Sequence, residues 1–138
     1  MADRVKKVNY CYARVPSRAG QGARILQEIR KADINMLAFS GFPAGGGKSQ
    51  LDFVVEEMPA LRRLAKTNGW RISKPKKAFL VTGTDTLGSV HRHVSKLADR
   101  KINVTAADAV CAGKGRWGMI LWVKAKDYAK AYRVLKAL

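Results

Sequence analysis

The chain is short of acidic residues, short of cysteine, and has no long apolar run. Ten Asp and Glu stand against 27 Lys and Arg in 138 residues, a formal charge of +17. That excludes an acidic or charge-balanced surface. It leaves the partner open, because net charge governs solubility and non-specific attraction rather than fold. No apolar stretch approaches the ~18–20 residues that carry a helix across a bilayer. The first residues, Met1-Ala2-Asp3-Arg4-Val5-Lys6-Lys7, are charged and lead into no hydrophobic segment, so they do not read as a secretory signal. No membrane partner is expected, and a cytoplasmic setting is. The two cysteines, Cys11 and Cys111, both lie in apolar, strand-like runs and read as reduced, buried thiols. No CxxC or Cys/His cluster suggests zinc.

Catalytic sets are also missing. His91 and His93 are two apart on an expected helix and point to nearly opposite sides, so they cannot share a metal. No Ser/His/Asp set or paired carboxylates stand out, and nothing has the make-up of an active site. The expectation is a protein that is not an enzyme and holds neither metal nor cofactor. Gly45-Gly46-Gly47-Lys48-Ser49 ends like a phosphate-binding loop. That motif needs its first glycine where this chain has Phe42, and a helix after the loop rather than a strand.

Apolar residues make up 47% of the chain and charged residues 27%, enough to build a core and too apolar for a disordered polymer. Sliding the sequence by 68 residues aligns it on itself without a gap. Gly20 falls on Gly88, Arg24 on Arg92, Ile34-Asn35 on Ile102-Asn103, Ala38 on Ala106, Ala44-Gly45 on Ala112-Gly113, Gly47 on Gly115 and Val55 on Val123. These identities gather at turns and helix exits, where backbone geometry dictates the residue, and the apolar pattern agrees between the copies. The chain reads as two copies of one unit.

Each copy predicts the same elements. First strands are expected at 9–15 and 78–82, rich in β-branched and aromatic residues. Turns follow, with Ser17 and Asp85 placed to cap the next helix. Apolar residues at helical spacing come next: Ala19, Ala23, Leu26 and Ile29 in one copy, Leu87, Val90, Val94 and Leu97 in the other. Second strands at 34–42 and 102–111 turn through glycine-rich hairpins into third strands at 50–56 and 118–124. Second helices cover 59–68 and 127–137, and a short strand at 70–73 closes the first copy. The fold class is therefore α+β: two ferredoxin-like β-α-β-β-α-β units, at 5–73 and 78–138, each an antiparallel sheet with helices on one face. The second unit runs out of residues before its last strand. The start of the chain, 3–8, or a partner chain is expected to fill that edge. A lone half of ~60 residues is marginal by itself, so the halves should pack together or dimerise.

The strand, the turn ending in Gly20 or Gly88, the helix, and then Asp33-Ile34-Asn35-Met36 or Lys101-Ile102-Asn103-Val104 resemble the ACT domain family. The usual pattern there is a strand, a D-x-P-G-like turn, a helix and G-I-N-I. The second copy keeps Asp85-Thr86-Leu87-Gly88 and lacks only the proline. The first has Ser17-Arg18-Ala19-Gly20 without the acid. Asp33 and Lys101 replace the glycine before Ile-Asn. The resemblance implies a regulatory, allosteric module, commonly a homodimer, that binds an amino acid between domains. Its ligand residues would be Ser17, Arg18, Ala19, Gly20 and Asn35, with Asp85, Thr86, Leu87, Gly88 and Asn103. The physics is consistent, since a helix N-terminus suits a carboxylate and Asp85 could hold an ammonium. The residues alone also allow Asp85 to be only a cap, the glycines only to permit packing, and the asparagines only to satisfy backbone.

The basic charge offers a different partner. Arg62, Arg63, Lys66, Arg71, Lys74, Lys76 and Lys77 fall in one stretch without an acid, and such a patch can neutralise phosphates. The expected β-α-β-β-α-β order also serves RNA-recognition domains, which stack bases on strand aromatics. Here Leu51 and Met119 occupy positions where those rings would sit. Trp117 and Trp122, five apart, face opposite sides of a strand, so at least one is expected in a core or interface. The alternatives are thus a nucleic-acid-binding module, an anionic ligand or partner, a solvated basic face, or a structural dimer with degenerate sites.

Overall fold

The structure is a computed structural model that describes residues 3–138. The elements run β1 (Arg4–Pro16), α1 (Gln21–Lys31), β2 (Met36–Gly45), β3 (Lys48–Val55), α2 (Met58–Asn68), β4 (Lys76–Thr84), α3 (Ser89–Asp99), β5 (Val104–Gly113), β6 (Arg116–Val123) and α4 (Tyr128–Lys136). They form two compact units, one of Asn9–Lys76 and one that joins residues 3–8 to Lys77–Leu138.

In the Asn9–Lys76 unit, β3 pairs antiparallel with both β1 and β2. In the other unit, β6 pairs antiparallel with both β4 and β5. The registers repeat at the 68-residue offset. Ala13 faces Leu51 where Val81 faces Met119, and Ala38 faces Val54 where Ala106 faces Trp122. Even the irregularities recur, at Met36/Ala38 and Val104/Ala106 and again at Pro43/Gly45 and Cys111/Gly113. The hairpin turns hold Gly45, Gly47, Gly113 and Gly115 at positive φ, which is why glycine recurs there. Residues 4–8 of β1 belong to the same unit as β4. The 70–73 segment forms no strand. Ser73 still donates its N–H to Tyr12 O at 2.8 Å and accepts from Tyr12 N–H at 2.9 Å.

Each unit has its own core. Leu51, Phe53 and Val55 on alternate positions of β3 pack with Ile29 of α1 and Met58 and Leu61 of α2. Trp117, Met119, Leu121 and Val123 of β6 pack with Leu97 of α3 and Ala131 and Leu135 of α4. Period two on the strand meets period 3.6 on the helices, and each large side chain so buried is worth about 1.5–3 kcal/mol. Tyr128 anchors α4: its ring stacks on Phe79 at 4.3 Å and its hydroxyl donates to Ala78 O at 2.8 Å. Burial pushes its phenol pKa up to about 12. Trp122 is buried as well as Trp117.

Several local expectations are corrected. Ser17 and Asp85 do not cap helices; the N-caps are Gly20 and Gly88, both left-handed, with no side-chain cap. Each lies three residues before the N-cap, in the turn rather than at the helix start. Leu87 is not a core residue but fully exposed, because it sits in the turn and not on the helix. His93 is fully buried. Cys11 is a buried thiol as expected, whereas Cys111 is exposed because β5 is exposed along almost its whole length. Among the described residues no helix is long and apolar enough to cross a membrane, and no cluster of His, Cys, Asp and Glu could hold a metal ion.

Candidate functional site

The turn between β4 and α3 is built by backbone hydrogen bonds. Asp85 N–H donates to Gly115 O at 2.8 Å, pinning the turn to the β5–β6 hairpin. Ser89 N–H and Ser89 Oγ both donate to Thr86 O, at 3.2 and 2.9 Å, and the Thr86 and Ser89 hydroxyls lie 3.0 Å apart. Gly88, at φ 81°, turns the chain into α3. Arg92 N–H then makes the first helical bond to Gly88 O at 2.9 Å. No side chain caps α3, so the positive end of the helix is presented beside the Asp85 carboxylate.

Asp85, Thr86, Gly88 and Ser89 line an open cavity of about 480 Å³ together with Cys111, Val110 and Trp117. Its apolar rim is unusually bare: Leu87 is fully exposed, Val110 66% and Val90 43%. Trp117 is buried, with its indole N–H unpartnered among the described residues. Cys111 is exposed, and its thiol pKa is raised, first by a hydrogen bond to Asp85 and then by burial; a thiolate there would face a carboxylate. Asp85, Thr86, Leu87 and Gly88 are thus brought together. Cys111, Val110, Val90 and Trp117 belong with them, though the sequence reading did not place them there.

The counterpart turn has the same backbone and different side chains. Ser17 N–H donates to Gly47 O at 2.8 Å and Arg24 N–H to Gly20 O at 3.1 Å. Ser17 Oγ accepts from Ser49 Oγ at 3.0 Å. Ser17, Arg18, Ala19 and Gly20 are all exposed. At the 68-residue offset Ser17 stands for Asp85, Ala19 for Leu87, Pro43 for Cys111 and Ser49 for Trp117. The carboxylate and the apolar wall are therefore absent from this copy. Asn35 and Asn103 are exposed residues just before β2 and β5, and Asn103 does not line the Asp85 cavity.

The basic stretch divides in two. Arg62, Arg63, Lys66 and Arg71 surround a concavity of about 700 Å³ with Trp70 and Ile72 in its wall. Arg62 Nη1 donates to Ser73 O at 3.3 Å. Lys74, Lys76 and Lys77 are exposed outside that lining. Lys76 lies over the Tyr12 ring and Lys77 over that of Tyr128.

The fold has counterparts among solved structures. A protein named BT0572 from Bacteroides thetaiotaomicron matches with a TM-score of 0.77 and 14% identity, covering 98% of this chain and 89% of that one. The ligand-free regulatory subunit of aspartate kinase from Thermus thermophilus matches at 0.70 and 12% identity, over 99% and 96% of the two chains. Aspartate kinase from Synechocystis matches at 0.68 and 13%, over 99% of this chain and 26% of that one. No family model and no curated protein matches. The fold is ACT-type, as the turn and Ile-Asn motifs anticipate, and at these identities the likeness establishes the fold alone.

Proposed function

We propose that this ACT-type chain is a non-catalytic regulatory module that binds a small molecule, an amino acid first of all, at the Asp85–Gly88 turn. The observation that carries the reading is the pairing of an acid with an uncapped helix N-terminus on one open cavity. The ligand's ammonium would meet Asp85 and its carboxylate the N–H groups of Val90 and His91 in the first turn of α3. Its side chain would cover Leu87, Val90 and Val110. Thr86 and Gly88 shape the turn, and glycine at 88 keeps the backbone open. In this proposal Ser17, Arg18, Ala19 and Gly20 form a second, degenerate site. Asn35 and Asn103 contact ligand from a neighbouring copy in a homodimer, for which the exposed strand β5 is a natural edge. Binding favours one packing of the copies and passes the coupling free energy to a separate chain. Two free cysteines, one of them exposed, suit a reducing, cytoplasmic setting.

Thermal unfolding against the twenty amino acids at fixed salt tests the reading, because a ligand that binds only the folded state must raise the midpoint. The expected result is a saturable rise with one or a few amino acids. It is lost in Asp85→Ala, whose own midpoint in the absence of ligand is unchanged. No shift with any amino acid would overturn the reading.

A further inference from the structure

The positive charge is not spread evenly. The four helices carry eleven Lys and Arg against Glu28 and Asp99 only, a far steeper excess than the 27 to 10 of the whole chain. It gathers in two concavities. The first is the one lined by Arg62, Arg63, Lys66 and Arg71. The second, of about 540 Å³ in the other unit, is lined by Lys96, Arg100, Lys130 and Arg133 with a single acid, Asp99. The two occupy matching places in the repeat. At the 68-residue offset Arg62 and Lys130 coincide, as do Ala65 and Arg133, Lys66 and Val134, and Trp70 and Leu138, and all eight line their respective concavities. The individual cations differ between copies, yet both grooves hold four of them.

Few of these cations have internal work. Arg62 holds Ser73 O, and Lys130 donates to Arg100 O at 3.1 Å. Among the described residues Arg63, Lys66, Arg71, Lys96, Arg100 and Arg133 make no ion pair. Concave surfaces lined by one sign of charge focus the field and attract counter-ions. Arginine, which supplies five of the eight positions, matches phosphate oxygens with a planar fork. Trp70 is the one aromatic in either lining, so there is no platform on which successive unpaired bases could stack.

We propose that each unit carries a groove for the phosphate backbone of a nucleic-acid duplex, read without base specificity, formed in one unit by α2 and the residues that follow it and in the other by the end of α3 together with α4. This site is separate from the Asp85 cavity and does not depend on it.

The test is fluorescence anisotropy of the whole chain with a labelled duplex of about 20 base pairs, at salt from about 50 to 300 mM. The variants are chosen from cations without structural bonds: Arg63→Gln with Lys66→Gln and Arg71→Gln for the first groove, and Lys96→Gln with Arg100→Gln and Arg133→Gln for the second. A control removes the same charge from the hairpin turns and their flanks, as Lys48→Gln with Lys114→Gln and Arg116→Gln. Each groove variant should lower the slope of log K against log salt by about 2–3, while the control lowers it by less than about 1. Should a triple variant fold poorly, single Arg63→Glu and Arg133→Glu changes should each weaken binding at least about tenfold at the lowest salt. The inference is overturned if wild type binds no duplex, if the control loses as much as the groove variants, or if binding is confined to anionic vesicles or to an acidic polypeptide. Loss of the amino-acid response in Asp85→Ala leaves this result untouched.

Discussion

Asp3 Oδ2 lies 2.7 Å from Arg92 Nη2 and 3.3 Å from His93 Nε2, with the Asp3 side chain only 3% exposed. His93, fully buried, donates from Nδ1 to Ser89 O at 2.9 Å on its other side. The start of the chain is thereby tied to the helix whose N-terminus frames the candidate cavity. Asp3→Ala leaves the Arg92 guanidinium without its carboxylate acceptor. Arg92 is partly solvated, so the cost should be about 1–3 kcal/mol rather than that of a wholly buried pair. Gly83→Ala should act on the same contact, because a Cβ there would strike the Asp3 carboxylate and come within 3.1 Å of Trp117 Nε1. Urea unfolding of both single variants and the double should show destabilisation well short of additive. Full additivity, or an Asp3→Ala variant as stable as wild type, would sink the assignment.

Lys101 and Asp33 occupy the same place in the two copies and both adopt positive φ, 60° and 58°. Each follows a helix: Lys101 N–H donates to Ala98 O and Asp33 N–H to Arg30 O, at 2.9 and 3.0 Å. A side chain in this region costs about 1–2 kcal/mol, less for Asp than for Lys. Glycine removes that strain but adds unfolded-state entropy. Lys101→Gly should stabilise the protein by about 0.5–1 kcal/mol, Asp33→Gly by less, and Lys101→Ala by close to nothing, since it retains the Cβ. Thermal or urea unfolding that ranks Lys101→Ala with Lys101→Gly would show that the Lys101 backbone is not strained.

The repeat and its elements were legible because turns speak locally. Gly45, Gly47 and Gly88 need positive φ, and apolar residues such as Leu26, Ile29, Val94 and Leu97 fall at helical spacing. The cavity was half legible. Asp85 and Gly88 announce a turn, but its walls come from β5 and β6, and only the paired register brings Cys111 opposite Trp117. Cys111 read as buried because an apolar run looks alike on a central and an edge strand. Exposure there is set by the neighbours a strand lacks, which its own residues do not encode. The first basic groove was legible as a run. The second was not, because Lys96 and Arg100 are brought to Lys130 and Arg133 only by the packing of α3 with α4.

The Asp85–Cys111 contact gives the candidate cavity a chemical reporter. The hydrogen bond to the Asp85 carboxylate is the first cause that raises the Cys111 thiol, so its thiolate forms only at higher pH than that of an ordinary exposed cysteine. Only the thiolate attacks an alkylating agent. The rate of Cys111 alkylation by iodoacetamide should therefore rise at a pH above the ordinary thiol range, about 8.5. Asp85→Asn should move that rise to lower pH and speed the reaction several-fold at neutral pH, although the cysteine stays equally exposed. Cys11, buried in the other unit, is the internal reference and should react only once the chain is unfolded. Any amino acid that raises the unfolding midpoint should also slow labelling of Cys111 and leave Cys11 unaffected, because the thiol lines the cavity the ligand fills. A labelling profile that Asp85→Asn leaves unmoved would remove the contact. A stabilising amino acid that leaves the Cys111 rate unchanged would place its binding away from this turn.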